Sequence, residues 1–148
     1  MEDRPLRDKK AIQQLYNDVL PALAQQVHQG LQPVLALFEN FTLERLLDTR
    51  TKDPADPEKE VSIENGNVQL LGLKLRLEGF NKPGTEPFDL TKDLLFKLHY
   101  NYYGVGPDKE NTWLEKNYLE RWQTAETQTI ASQFCDAVID GLTERLNK

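Results

Sequence analysis

Two pairs of potential cations are the residues of this sequence whose types and spacing most readily suggest chemistry. They are Lys74 and Arg76 in one segment and Lys97 and His99 in another. Residues two apart in a β-strand point to the same side of a sheet, so adjacent antiparallel strands would bring all four to one face. Such a face could hold an anionic ligand or an acidic partner surface. Alternatively, local carboxylates such as Glu78 neutralise an ordinary solvated face.

His99 and Tyr103 would extend this outward face along the second segment. Histidine is the side chain that most readily exchanges protons near neutral pH, so His99 could act as a general base or bind an anion. The simpler interpretation is an exposed polar residue on the outer face of a half-buried sheet. Both interpretations require the segment containing residues 94–103 to be a strand.

Nucleophiles and metal ligands are scarce in the sequence. Cys135 is the single cysteine, and it lies between Phe134 and Val138 in an apolar helical stripe, which favours core packing over reactivity. Neither Ser62 nor Ser132 lies in a nucleophile-elbow context. With one cysteine and two histidines, a His/Cys metal cage within one chain cannot form. We therefore expect no cofactor, no metal site and no identifiable catalytic residue, although the sequence leaves open whether the protein is an enzyme.

An aromatic band before the C-terminal stripe offers a different kind of surface. Trp113, Tyr118 and Trp122 recur at helical spacing. Paired tryptophans either cap a hydrophobic core or anchor a protein partner. We include Trp113 and Trp122 with the four cations and Tyr103 as candidate partner-binding or ligand-binding residues.

The composition is that of one acidic globular domain. The chain has 148 residues, a formal net charge of −6 and a hydrophobic fraction of 39%, so a single domain over residues 1–148 is expected. The negative charge disfavours nucleic acid, and no apolar run approaches the ~20 residues needed to span a bilayer. The N-terminus lacks the pattern of a signal peptide, so we predict a cytoplasmic protein.

Helical periodicity dominates the N-terminal third. The apolar spacing predicts an amphipathic helix over residues 7–28, bent at Pro21 and capped by Gly30. Pro33 would then start a second helix reaching Leu47, and residues 48–59 would form an exposed connector.

A β-hairpin over residues 60–79 is the clearest local prediction. Asn65-Gly66 is typical of a type I′ turn joining two short strands. Alternation in the second strand puts leucines 71, 73, 75 and 77 on the buried face, and Gly72 suggests a bulge.

The later segments leave alternatives open. Residues 94–103 fit a strand paired with the hairpin and also fit a helix that Gly104 ends; the aromatic content favours the strand. From Asn111 onward two apolar stripes have helical spacing. One helix over both would be about 50 Å long, so we expect a break near Thr124 or a projecting helix used in dimerisation.

These elements predict an α+β fold. An antiparallel sheet of three or four strands, made of the hairpin 60–79 and the strand 94–103, would be covered on one face by the N-terminal helices and a long C-terminal helix. The leading function is a non-enzymatic protein-interaction module, such as an adaptor, chaperone-like or inhibitory protein, that binds a protein partner and forms a homo-oligomer, with a homodimer as the simplest case. The alternative is a ligand-binding domain or enzyme acting on an anionic substrate at the four-cation face. A cavity of ~300–1,000 Å³ containing these cations would favour that alternative.

Overall fold

A five-stranded antiparallel sheet and a layer of helices make up the protein, as a computed structural model that describes residues 8–53 and 55–147 shows. The N-terminal helical segment comprises α1 (Lys9–Gln14), a π-helical turn (Leu15–Val19) and α2 (Leu20–Gly30), followed by the short α3 (Gln32–Leu35). The strands are β1 (Phe38–Asp48), β2 (Leu70–Phe80), β3 (Leu90–Leu98), β4 (Tyr103–Gly106) and β5 (Leu114–Lys116). The chain ends with α4 (Thr124–Leu146).

The strands form a meander, because sequence neighbours pair throughout in the order β1-β2-β3-β4-β5. Leu75 of β2 pairs with Leu43 of β1, and Leu73 pairs with Leu94 of β3. The predicted α+β class and antiparallel sheet are therefore confirmed, but the sheet contains five strands because β1 and β5 join it.

The hydrophobic core lies between the sheet and the helices. The predicted alternation in β2 is confirmed, since leucines 71, 73, 75 and 77 are all buried while Arg76 and Glu78 are exposed. Helices α2 and α4 contact each other, and they also contact β2 and β3 respectively. Cys135 of α4 lies at this helix contact, with its Sγ 3.7 Å from the Val27 carbonyl oxygen.

The first helix forms where it was predicted. A bend was expected at Pro21, but the irregular part of the helix is the π-helical turn just before that proline. Pro21 occupies the first turn of α2, directly after the π-helical turn. A proline cannot donate to the carbonyl four residues earlier, and a π turn changes the hydrogen-bond pattern at that point without ending the helix.

The predicted helix from Pro33 to Leu47 is wrong. Helix α3 ends at Leu35, and Phe38–Asp48 forms the eleven-residue strand β1. Apolar residues in this segment fit either periodicity locally, and the strand forms because β2 supplies a continuous ladder of partners from Glu78 to Leu70.

The predicted hairpin over 60–79 is also wrong, since residues 60–69 contain no strand and β2 pairs with β1 and β3. Gly66 has a φ of 64°, but no described non-glycine residue has positive φ, so Asn65-Gly66 is not a type I′ turn. The Asn65 and Asn67 side-chain amides instead donate to the Glu60 carbonyl. These bonds compete with a strand ladder.

The predictions for the segments between residue 94 and α4 are correct only in part. The segment 94–103 is extended but interrupted: β3 ends at Leu98, a turn follows, and β4 starts at Tyr103. The helix expected from Asn111 is wrong, because β5 and a turn at Asn117 replace it. Asn117 Oδ1 accepts from the backbone N–H groups of Leu119 and Glu120, which stabilises the turn. Helix α4 starts at Thr124, where a break was expected, but no helix precedes it between Gly106 and Thr124.

Gly66 remains sensitive to substitution for a different reason. A Cβ there would lie 2.6 Å from the Lys9 Cα, and the positive φ adds strain. Gly66→Val should therefore lower the free energy of unfolding by more than about 1 kcal/mol, measured by urea denaturation. Gly84→Val is the matched control, because Gly84 also has positive φ but no atom lies within 4 Å of the position that its Cβ would occupy. Equal losses in the two variants would show that the contact with Lys9 contributes nothing.

Candidate protein interface

The outward sheet face carries three of the four predicted cations. Register puts Lys74, Arg76 and Lys97 on the side opposite the buried leucines, because Lys74 pairs with Asp93 and Lys97 pairs with Leu70. His99 follows the end of β3, and its ring stacks on Tyr102 with centroids 4.6 Å apart. The predicted common face therefore includes three cations in strands, and His99 belongs to the adjoining turn.

Local partners engage two of these cations. Lys74 Nζ lies 3.4 Å from Asp93 Oδ1, across β2 and β3. Lys97 Nζ donates to the Asp108 and Asn111 carbonyls at 2.9 and 2.6 Å, and so fixes the loop that follows β4. Lys97 lies opposite Leu70, which is four residues from Lys74, a separation of about 13 Å along the strand. The cations therefore do not converge on one point.

Tyr103 points toward the helices and not along the outward face. The turn at residues 99–102 interrupts the strand, so β4 starts a new alternation with Tyr103 inward and only 1% exposed. The Tyr103 hydroxyl accepts a hydrogen bond from Trp122 Nε1 at 2.7 Å. Burial raises the pKa of Tyr103 well above its ordinary value, which keeps the phenol protonated.

The aromatic band contributes to the core. The Trp122 ring stacks on Phe96 with centroids 5.7 Å apart, and Trp113 is half-buried against the core. The structure therefore places Trp113 and Trp122 at the core margin, while their role as partner anchors stays a prediction.

A cavity of about 550 Å³ lies between the N-terminal helix and the segment before α4. Its described lining residues are Asp8, Lys10, Ala11, Gln14, Leu15, Asp18, Val19, Tyr103, Tyr118, Leu119, Glu120, Arg121 and Trp122. They include no serine, cysteine or histidine, and Asp8, Asp18 and Glu120 contribute carboxylates.

A smaller cavity, about 190 Å³, is lined by Trp113, Leu114 and residues of the first turns of α4. Neither cavity is lined by Lys74, Arg76, Lys97 or His99. Across residues 8–53 and 55–147, no three His, Cys, Asp or Glu side chains form a group that could hold a metal ion. None of the helices in the same part of the chain is long and apolar enough to cross a membrane.

Strand β1 is the longer of the two edge strands of the sheet. It lies at the sheet edge, pairs only with β2, and is exposed or half-buried at every residue after Phe38. Among the described residues its outer edge has no backbone hydrogen bond to another element. An edge strand of eleven residues without proline can accept another strand.

The hydrogen-bond pattern identifies which β1 residues direct their backbone N–H and C=O groups toward the open edge of the sheet. The Gln69 carbonyl accepts from the Leu98 N–H, toward β3. Because bonding direction alternates along a strand, odd-numbered β2 residues up to Leu77 bond toward β3 and even-numbered ones up to Glu78 bond toward β1. The alternation ends at Gly79, which has positive φ, and the Phe80 N–H donates to the Phe88 carbonyl instead. Even-numbered β2 residues pair with even-numbered β1 residues. The odd residues of β1, from Phe41 to Leu47, therefore direct their N–H and C=O groups away from the sheet.

No known family model, curated protein or solved structure matches this chain.

Sequence reasoning missed the β1 edge because it assigned these residues to a helix. A weak signal was present, since the polar-apolar alternation of Asn40-Phe41-Thr42-Leu43-Glu44 has the period of a strand. The edge position depends on pairing with β2, which lies more than 20 residues later in the chain.

Cys135 is buried, as the sequence predicted. Burial raises the pKa of its thiol, and the nearby Asp136 carboxylate acts in the same direction, so little thiolate forms at neutral pH. We expect native protein to react with a thiol reagent at least about tenfold more slowly than urea-unfolded protein at the same pH. The reaction is followed by the absorbance of the released reporter group. Rapid stoichiometric labelling of the native protein would contradict this prediction.

Proposed function

We propose that this chain is a non-enzymatic protein-interaction module, of the adaptor, chaperone-like or inhibitory kind, and that it self-associates. The observation that carries the proposal is the outer edge of β1, which is exposed or half-buried at every residue after Phe38. Backbone groups along such an edge can hydrogen-bond an added strand from a second chain.

Strand addition replaces the route to self-association that the sequence suggested. That route required a C-terminal apolar stripe too long for one domain to cover. Helix α4 starts at Thr124, is about 35 Å long, and buries six residues of the stripe in the core, while Ile139 and Leu146 are each 40% exposed. The buried residues are Ile130, Ala131, Phe134, Cys135, Val138 and Leu142. The helix therefore supports the fold, and β1 is the better candidate for a contact between copies.

The alternative function, binding or turnover of an anionic substrate, receives less support. The Lys74, Arg76, Lys97 and His99 side chains line neither cavity. Lys74 faces a carboxylate, and Lys97 donates to two loop carbonyls. A face that lines neither cavity, and on which Lys74 and Lys97 already have local partners, fits a protein surface better than a substrate site.

The test compares two substitutions at Arg45, whose backbone N–H points away from β2, toward the open edge of the sheet. Arg45→Pro removes that N–H without removing a donor from the β1–β2 ladder. Arg45→Ala removes the same side chain but keeps the N–H. We expect Arg45→Pro to associate at least about tenfold more weakly than Arg45→Ala in sedimentation equilibrium, while both retain the parent circular dichroism spectrum.

Two results would count against the proposal. A parent protein that stays monomeric across a wide concentration range would overturn self-association. Equal association of Arg45→Pro and Arg45→Ala would show that the β1 backbone is not the contact.

A further inference from the structure

We infer that the strand added to β1 is β1 of a second copy, paired antiparallel with Thr42 on the two-fold axis. This inference rests on the proposed function and specifies both its partner and its register. Pairing of identical edges is isologous, so every contact in the interface occurs twice.

Symmetry restricts the possible registers to a few. A two-fold axis normal to the sheet keeps both helix layers on the same side, so residues directly opposite each other must point to the same face. Each residue therefore lies opposite a residue whose number differs from its own by an even number. The axis passes midway between the two copies of one β1 residue. The central candidates for that residue are Thr42, Leu43, Glu44 and Arg45.

The charged side chains that each axis would place opposite each other distinguish these candidates. An axis at Glu44 or Arg45 would place two like charges directly opposite each other, which destabilises a strand pair. An axis at Leu43 would place Glu39 opposite Leu47 of the second copy, leaving its carboxylate without a charged partner. An axis at Thr42 places Glu39 opposite Arg45 of the second copy, and Arg45 opposite that copy's Glu39.

The same register matches the apolar side chains. With the axis at Thr42, Phe41 lies opposite Leu43 of the second copy on the helix-covered side of the sheet. Phe41 is 39% exposed in the isolated chain, and Leu43 is half-buried. Pairing would remove apolar surface of both residues from water in two equivalent contacts. On the outward face, Thr42 would meet its own copy and Asn40 would meet Glu44.

Arg45 is already held at the strand edge. Its guanidinium lies 4.3 Å from the Tyr16 ring centroid, and Nη1 donates to the Tyr16 carbonyl at 3.3 Å. The side chain is exposed, so its remaining N–H groups are accessible to a carboxylate. Fixing the guanidinium in the free chain lowers the entropy lost when it pairs with Glu39 of a second copy.

Charge reversal tests the register. Glu39→Lys and Arg45→Glu should each weaken dimerisation about tenfold, because each replaces two attractive contacts by two repulsive ones. The double variant should return to within about threefold of the parent, because the reversed charges attract again. Glu44→Lys is the matched control, since Glu44 meets the neutral Asn40 and its reversal should have little effect. Sedimentation equilibrium at low salt measures all four variants.

A disulfide gives a second readout that does not depend on Arg45. Thr42→Cys should form a covalent dimer with a mild oxidant, since residues at the axis of a non-hydrogen-bonded pair have Cα atoms about 4.5 Å apart. Asn40→Cys should not, because its two copies would lie about 13 Å apart along the strands. Non-reducing electrophoresis distinguishes these results, with the parent as the control for Cys135.

The outcomes separate the inference from the proposed function. A monomeric parent at all concentrations overturns self-association and the register together. If Arg45→Pro disrupts a dimer but the double charge reversal does not restore it and Thr42→Cys does not cross-link, the register is wrong while β1 pairing stands. Restoration together with selective cross-linking at residue 42 supports the register.

Discussion

Gly72→Ala should destabilise the protein by several kcal/mol, among the largest losses expected from any single substitution. Gly72 lies in β2, between Leu46 of β1 and Leu95 of β3. A Cβ on Gly72 would lie 1.9 Å from the Leu94 carbonyl oxygen. This neighbour is backbone in a paired strand, so a side-chain rotation cannot relieve the contact.

The cost is large on the scale of domain stability. Separating β2 from β3 to admit a methyl group would weaken a ladder that joins Leu70–Leu77 to Leu90–Lys97. A loss of about 3 to 5 kcal/mol is a substantial part of the 5–15 kcal/mol typical of a domain. Urea denaturation at neutral pH measures it, with a lower transition midpoint as the expected result.

Gly141→Ala provides the control for adding a methyl group. Gly141 lies within α4, and the nearest atom to its added Cβ is Leu90 Cδ1 at 4.0 Å. Helix propensity then predicts a gain of about 0.5 to 1 kcal/mol. If Gly72→Ala unfolds at the same urea concentration as Gly141→Ala, the close approach of β3 to Gly72 is not a constraint in solution.

Gly72 also shows why sequence reasoning about β2 succeeded only in part. Alternation identified the buried leucines, because burial on one face imposes a period of two. The bulge inferred at Gly72 is wrong, since pairing continues without interruption from Leu70 to Leu77. A glycine within a strand indicates either a bulge or a close backbone approach, and only the position of the neighbouring strand distinguishes them.

The hairpin and β1 errors have one common cause. Asn65-Gly66 has strong turn chemistry, so local sequence favoured pairing across that turn. The observed partners of β2 are β1 and β3, and its pairing with the distant β1 leaves no local sequence signal. The candidate interface was therefore invisible at the sequence level, because an edge exists only once the strand order is known.

The cation prediction illustrates the same limit on the opposite face. Register correctly places Lys74, Arg76 and Lys97 on one side of the sheet. Strand periodicity contains no information about the loop after β4, whose Asp108 and Asn111 carbonyls accept hydrogen bonds from Lys97. A pattern of charges thus predicts a shared face but not which charges already have partners.

Glu126→Gln should lower the free energy of unfolding by about 2 to 3 kcal/mol at neutral pH, because it leaves a buried cation without its counter-charge. Lys116 is only 5% exposed, and its Nζ donates to both Glu126 carboxylate oxygens at 2.9 and 3.0 Å. Glu126 Oε1 also accepts from the Gln123 backbone N–H at 2.8 Å, within the capping box that starts α4. One carboxylate therefore stabilises a buried ammonium and a helix N-terminus.

Replacing the other member of the ion pair, Lys116, should lower the free energy of unfolding much less. Lys116→Met replaces the ammonium by an apolar side chain of similar length, and Glu126 retains its capping bond and partial contact with solvent. We expect a loss of less than about 1 kcal/mol, so the two substitutions should differ even though they break the same ion pair. Equal losses in urea denaturation would contradict the assignment of Lys116 as the desolvated partner.

Acid provides an independent test of the charge on Glu126. The Gln123 backbone N–H and then the Lys116 ammonium lower the pKa of Glu126 below its ordinary value. The unfolded chain consequently binds this proton more readily than the folded chain, and the stabilisation is present above the unfolded pKa of about 4.3. It is lost as the pH falls through the folded pKa. The stability difference between the parent and Glu126→Gln should therefore shrink between pH 5 and pH 3.

Asp48 and Asp108 also have lowered pKa values, so the parent and the variant will both lose stability in acid. That common loss cancels in the difference between the two proteins, which isolates residue 126. Urea denaturation of both proteins at pH 7 and pH 3 measures the difference directly. A difference that stays constant across this range would mean that the glutamine perturbs the packing or capping of α4, because only loss of the carboxylate charge varies with pH.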